Sequence, residues 1–138
     1  MDDFNRALKI KPDSYEAYKL KAITKFATGD LKGALGDNRH AIVAYSKLIK
    51  RNPKNYWTYQ NRGIARKEMG DYKGAIEDFN IMIDKYPDSV VAYYMRGLAK
   101  MKSGDKESAC DDLNRTLNLG YQEAGVAIKG KHPACHIL

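Results

Sequence analysis

The 138-residue chain has few of the residues that build metal centres, disulfide frameworks or membrane spans. Its two cysteines are too few for a disulfide framework, so no oxidising compartment is implied. Cys110 lies inside a helical pattern, where we expect a buried free thiol. No apolar stretch approaches the roughly 20 residues of a membrane-spanning helix, and the charged first ten residues show no signal peptide. The compartment therefore stays open.

Sets of catalytic groups are also missing. The Ser and His residues are scattered, and no nucleophile, base and orienting group can be assembled from them. No glycine-rich loop follows a strand, so no phosphate cradle is predicted. His132, Cys135 and His136 are close in sequence, but a zinc site needs a fourth donor and a rigid frame, and we favour a disordered tail. The sequence predicts no enzyme, no cofactor and no metal site.

The net charge of +7 raises the question of nucleic acid. The 24 Lys and Arg residues are spread along the chain, with the densest patch at Lys47, Lys50, Arg51 and Lys54. Scattered basic residues are a weaker footprint than a run of them. A solvated helical surface is therefore favoured over a nucleic-acid site.

A short block recurs three times, as Gly29-Asp30, Gly70-Asp71 and Gly104-Asp105. Each glycine is followed by an alanine five residues later and by an aspartate eight residues later. A lysine or arginine lies eight residues before each glycine. Such an internal period fixes a repeat architecture before any single residue is interpreted.

Around the second block the pattern predicts two antiparallel helices. Asn55 to Gly70 reads as one helix and Tyr72 to Tyr86 as the next, since apolar residues recur at helical spacing. In such a hairpin, the basic residue before each glycine and the aspartate after it lie at similar heights along the helix axes. We therefore predict three structural charge pairs: Lys21 with Asp37, Arg62 with Asp78, and Arg96 with Asp112. The alternative is that the arginines bind an anionic ligand.

The first two glycines are 41 residues apart, whereas the second and third are 34 apart. The extra seven residues keep the helical period, because seven residues make about two turns. We predict one lengthened helix from about Lys32 to Arg51 whose last two turns project beyond the array. These turns would either extend the local packing or form a partner-binding lip with Tyr45, Leu48 and Ile49.

The repeat resembles the tetratricopeptide pattern. In the second unit the residues that carry the resemblance are Tyr59, Arg62, Gly63, Ala75, Phe79 and Pro87. The third unit matches at Tyr93, Gly97, Gly104, Ala109 and Leu113, with Tyr121 in place of the proline. The first matches at Tyr18, Ala22, Gly29 and Ala34, with Pro53 arriving late. This resemblance implies an all-α, right-handed superhelix of antiparallel helix pairs without strands.

We divide the chain accordingly. The predicted parts are a leading second helix at 1–12, repeat units at 13–54, 55–88 and 89–121, a capping helix at 122–130 and a tail at 131–138. Phe4 and Pro12 repeat the spacing of Phe79 and Pro87, so we expect the chain to be a fragment of a longer array. The uncovered first helix could then support self-assembly with a like chain.

The family positions that line a concave groove carry over to three sets of residues, one from the first helix of each unit. They are Lys19, Ile23 and Phe26; Trp57, Gln60, Asn61, Ile64 and Lys67; and Tyr94, Met95, Leu98 and Met101. The family's clamp for acidic chaperone tails is incomplete. Lys19 and Asn61 match two of its five positions, whereas Ile23, Val91 and Met95 depart from it, so an apolar or amphipathic segment is favoured as ligand.

The resemblance thus implies a scaffold that binds a peptide or protein segment in its concave groove. Aromatic residues dominate binding hot spots, and Trp57 is the only tryptophan. Two alternatives remain open: a self-assembling fragment, and a single-stranded RNA-binding repeat protein that stacks bases on Trp57 and Tyr94.

Overall fold

The computed structural model describes residues 5–6, 30–120 and 135. Residues 30–120 form five helices, and this range contains no strand: α1 Leu31–Arg51, α2 Tyr56–Glu68, α3 Tyr72–Lys85, α4 Val90–Ser103 and α5 Lys106–Asn118. The all-α class is confirmed. The chain divides into two compact units, Met1–Asp71 with α1 and α2, and Tyr72–Leu138 with α3 to α5. Apart from residues 5–6, which are helical, the predicted leading helix lies outside the described residues, and so does the predicted capping helix.

The recurring aspartates and glycines begin and end helices. The carboxylates of Asp30 and Asp105 accept hydrogen bonds from the backbone N–H groups of Gly33 and Ser108, at 3.0 and 3.3 Å. Both are N-caps, which satisfy donors that the first helical turn leaves without partners. Gly104 closes α4 with φ of 95°, a left-handed conformation that favours glycine. At Gly104-Asp105 the block is therefore a helix stop followed by a helix start.

In the first unit, α1 packs against α2 through Ala41, Tyr45 and Ala65, with Ile42 beside them. Tyr45 is 1% exposed. The predicted lip is therefore wrong at Tyr45, because this ring forms core and offers no surface to a partner. Leu48 and Ile49 are only partly exposed.

The extra seven residues of α1 precede its packed part. Asp30 lies 11 residues before Ala41, whereas Asp105 lies four residues before the corresponding Ala109. From there on the repeat is regular, because Ala41 and Tyr45, Ala75 and Phe79, and Ala109 and Leu113 follow one another at intervals of 34 residues. The lengthened helix exists as predicted, but its added turns lie at its start and not at its end.

In the second unit, α4 packs on both α3 and α5. Leu113 of α5 is fully buried, and a Cβ on Gly97 of α4 would lie 3.0 Å from its Cγ and Cδ2 atoms. The carbonyl oxygen of Ala109 would be 3.3 Å away. The glycine therefore permits the close approach of α4 and α5.

A disulfide joins Cys110 of α5 to Cys135, with 5.3 Å between the Cα atoms. The expectation of a free thiol at Cys110 is wrong. Sequence spacing did not indicate this bond, because the two cysteines are 25 positions apart and only the fold brings them together.

Candidate partner-binding surface

Helix α4 buries small residues and leaves large apolar residues partly exposed. Ala92 and Ala99 are 0% exposed, and they share the buried part of the helix with Gly97. Val91 is 44% exposed, and three more large side chains keep partial exposure at helical spacing from it: Tyr94, Met95 and Leu98. Exposed apolar stripes of this kind mark interaction surfaces.

Helix α2 has the corresponding residues one repeat earlier. Trp57 lies 34 residues before Val91 and is 56% exposed. Asn61, Ile64 and Lys67 follow along the same helix and are partly exposed. A large apolar side chain, Trp57 or Val91, is therefore exposed at the same repeat position on α2 and α4.

Two of the predicted groove residues are not surface residues. Gln60 and Met101 are each 8% exposed, so neither offers a surface to a partner in this state. Met101 packs in a cluster with Ala109, Leu113 and Cys135, and Tyr94 lies against that cluster. Cys135, held by its disulfide, is therefore part of the cluster in which Met101 is buried.

Some of the other predicted residues lie outside the described part of the chain, and the rest belong to two different units. Lys19, Lys21, Ile23 and Phe26 lie outside the described residues. Trp57 belongs to the first unit and Tyr94 to the second. A single groove that contains both stays a prediction.

The predicted partners Arg96 and Asp112 are in contact within the second unit. The guanidinium Nε and Nη2 atoms donate to Oδ2 and Oδ1 at 2.8 and 2.6 Å, which is bidentate geometry. Lys100 adds a second cation, with its Nζ 2.8 Å from Oδ2. The hydrogen bond to Asp112 raises the pKa of Arg96 above its ordinary value and outweighs burial, which lowers it.

Arg96 also reaches back to the preceding helix, which the sequence analysis missed. Its Nη1 donates to Asn80 Oδ1 at 2.8 Å, and its guanidinium carbon lies 5.4 Å from the Tyr93 ring centroid. Arg62 repeats both contacts in the first unit, with a 3.1 Å hydrogen bond to Ser46 Oγ and its guanidinium carbon over the ring of Tyr59. Each acceptor lies 16 residues before its arginine, a spacing that could have revealed it.

The structure does not describe the other two predicted charge pairs, Lys21 with Asp37 and Arg62 with Asp78. Lys21 lies outside the described residues, and Arg62 and Asp78 belong to different units. Both pairs stay predictions. The contacts of Arg96 favour the structural interpretation of this arginine over anion binding, because its donors already serve Asp112 and Asn80.

Within residues 30–120, together with 5–6 and 135, no group of three or more His, Cys, Asp or Glu side chains could hold a metal ion. In the same part of the chain, no helix is long and apolar enough to cross a membrane.

Comparison with known families identifies the repeat. Three family models, each described as a tetratricopeptide repeat, match residues 24–55, 44–77 and 91–119. The chain belongs to the tetratricopeptide repeat family. Its tetratricopeptide units form an all-α solenoid of helix pairs, as the sequence predicted. No curated protein matches the chain in sequence.

Solved tetratricopeptide structures share this fold at low sequence identity. The second tetratricopeptide domain of human RPAP3, in complex with the HSP70 peptide SGPTIEEVD, is 22% identical, with a TM-score of 0.64 over 84% of this chain and 96% of that one. The TPR2B domain of yeast Sti1, in a complex with pHsp70, is 24% identical, with a TM-score of 0.59 over 88% and 91%. MamA from Desulfovibrio magneticus RS-1, from residue 41 onward, is 18% identical, with a TM-score of 0.61 over 96% and 75%.

Proposed function

We propose that this protein is a non-enzymatic interaction scaffold whose tetratricopeptide repeats bind a peptide or protein segment on the first helix of each repeat, which is α2 in one repeat and α4 in the next. The observation that carries the proposal is the repeated exposure of Trp57 and Val91, at 56% and 44%. These residues occupy the same repeat position on α2 and α4. Large apolar side chains are costly to expose, and contiguous exposed patches usually mark contacts with another molecule.

The chemistry of these helices favours an apolar or amphipathic ligand. On α4 the stripe of Val91, Tyr94, Met95 and Leu98 has no charged member, and the nearby cations Arg96 and Lys100 are engaged with Asp112. On α2, the Nζ atom of Lys67 lies 2.6 Å from Oε1 of Glu68, so this cation is also engaged. The ligand therefore gains most from apolar contact, with polar groups at its edges.

The solved relatives support a peptide as the kind of ligand. RPAP3 and Sti1 are seen with HSP70 ligands. Val91 and Met95, which stand where the family's acidic-tail clamp has basic residues, favour a different peptide for this chain. The groove that joins the two units is part of the proposal.

Selection from a phage-displayed peptide library on the wild-type protein tests the proposal. The enriched peptide is labelled, and its affinity for Trp57→Ala and Val91→Ser is measured by fluorescence anisotropy. We expect each substitution to weaken binding by about tenfold, since central apolar contacts contribute about 1–2 kcal/mol or more. Both side chains are exposed, so the variants should remain folded.

Val43→Ser and Tyr86→Ala are matched controls. These residues are 52% and 40% exposed but lie outside the proposed surface, so their variants should bind within about twofold of the wild type. Equal affinity of all four variants would place the peptide elsewhere and reject the surface. Preferential binding of oligothymidylate, with a steep loss in salt, would instead favour the nucleic-acid alternative.

A further inference from the structure

Acidic residues are absent from one long stretch of the chain. Residues 38–67 contain eight Lys and Arg and no Asp or Glu, which leaves 16 basic and 17 acidic residues for the rest. The whole basic excess of the protein therefore comes from this stretch. It includes most of α1 and almost all of α2, two helices of the first unit.

Four of the five exposed Lys and Arg residues of this stretch lie on one face of α1, and the fifth, Lys54, follows the end of the helix. At 100° per residue, Arg39, Val43, Lys47, Lys50 and Arg51 fall within an arc of about 120°. All five are exposed, whereas Ala41, Ala44 and Tyr45 on the remaining circumference are buried. The face extends from Arg39 to Arg51, which is about 18 Å along the helix. We call these five residues the α1 face.

The two helices differ in how their cations are used. On α2, Lys67 lies against Glu68, the Arg66 Nε atom lies 3.7 Å from Asp71 Oδ2, and Arg62 donates to Ser46. On α1, none of Arg39, Lys50 and Arg51 forms an ion pair with a residue that the structure describes. The α1 face thus has the charge to attract an anionic surface and no described acid that competes for these three side chains.

We propose that the α1 face is a second docking surface, separate from the apolar stripes, that binds an acidic helical segment of another protein. Charge complementarity requires carboxylates that recur at each helical turn opposite the basic side chains. Val43, 52% exposed amid the cations, calls for an apolar residue near the middle of the partner segment. A valine cannot stack on a base or bind a phosphate, so its central position favours a polypeptide over nucleic acid.

The proposal is tested with a designed amphipathic helix of about 20 residues, which is long enough to cover the α1 face. This probe carries glutamates along one face around a single central leucine and is labelled for fluorescence anisotropy. The Lys50→Gln, Arg51→Gln double variant should bind it about fivefold more weakly, because it removes two exposed charge pairs that each contribute modestly to binding. Val43→Ser should also weaken binding, whereas Trp57→Ala should not.

The matched control is Lys102→Gln with Lys106→Gln, two exposed cations of the second unit that change the net charge equally. This variant should bind the probe within about twofold of the wild type. If both double variants weaken binding equally, only overall charge matters and the α1 face is rejected. If an oligothymidylate binds more tightly than the acidic helix and is lost with Lys50→Gln, Arg51→Gln, the surface is one for nucleic acid and the proposal fails.

Discussion

The guanidinium of Arg96 holds both carboxylate oxygens of Asp112, an acid that is only 4% exposed. Lys100 shares the same carboxylate, so one buried acid pairs with two cations of α4. Asp112→Ala leaves both cations without this acid. We expect it to lower the free energy of unfolding by about 3 kcal/mol in urea denaturation. The exposed neighbour Asp111 is the control, since Asp111→Ala should change stability by less than about 0.5 kcal/mol.

The raised pKa of Arg96 predicts a stabilising contribution that is constant near neutral pH. A group whose pKa rises on folding contributes fully below its unfolded pKa and loses that contribution only as the pH rises through the folded value. For Arg96 this loss lies above the ordinary arginine range. The difference in unfolding free energy between wild type and Arg96→Gln should therefore stay constant from about pH 6 to about pH 9. A difference that shrinks steadily across this interval would contradict the assignment.

Gly97 should not tolerate a side chain. In Gly97→Ala the added methyl group meets buried Leu113 at 3.0 Å and the Ala109 carbonyl oxygen at 3.3 Å. Overpacking of this kind costs about 1–3 kcal/mol, which exceeds the gain in helix propensity. Thermal denaturation monitored by circular dichroism measures the effect.

Gly36 provides the opposite case in a helix. A Cβ at Gly36 would meet nothing within 4 Å, so Gly36→Ala should stabilise by up to about 1 kcal/mol. Equal responses of Gly36 and Gly97 would show that helix packing does not decide the outcome.

Tyr45 should behave as a core residue. Tyr45→Ala removes a ring that is 1% exposed and packed with Ala41 and Ala65, and we expect a loss of about 3–5 kcal/mol of unfolding free energy. Tyr86→Ala, at a residue 40% exposed, should cost much less. A small effect at Tyr45, combined with lost partner binding, would restore the lip hypothesis.

Reduction of the Cys110–Cys135 disulfide should destabilise the second unit. The bond closes a loop between residues 25 apart, and restriction of the unfolded chain by such a loop contributes about 3 kcal/mol. Melting with and without a dithiol reductant measures this contribution. The double variant Cys110→Ser, Cys135→Ser should melt at the temperature of the reduced wild type and ignore the reductant. Reduction should also raise the rate at which peroxide oxidises Met101, which Cys135 packs against.

Much of the fold followed from sequence because its determinants are local. Asp30 and Asp105 are N-caps and Gly104 ends α4, and the apolar period placed α2 and α3 to within two residues at each end. Arg96 and Asp112 could be paired from their symmetry about Gly104, since a hairpin places such positions at equal height.

What the sequence did not reveal depends on packing between distant residues. The seven added residues of α1 could be placed at either end of the helix until Tyr45 was seen to pack with Ala65. The burial of Gln60 and Met101 depends on their neighbours in space, and so does the bond between Cys110 and Cys135. Position in a repeat predicts which helix carries a residue, but exposure decides whether a partner can reach it.

The disulfide has a consequence for a protein that meets proteases. Because Cys110 and Cys135 are joined, a single cut anywhere between them opens a ring and leaves the molecule in one covalent piece. The cut protein would run as an intact chain on a non-reducing gel and separate into two fragments once a thiol is added. Cleavage between Cys110 and Cys135 therefore separates the two fragments only under reducing conditions.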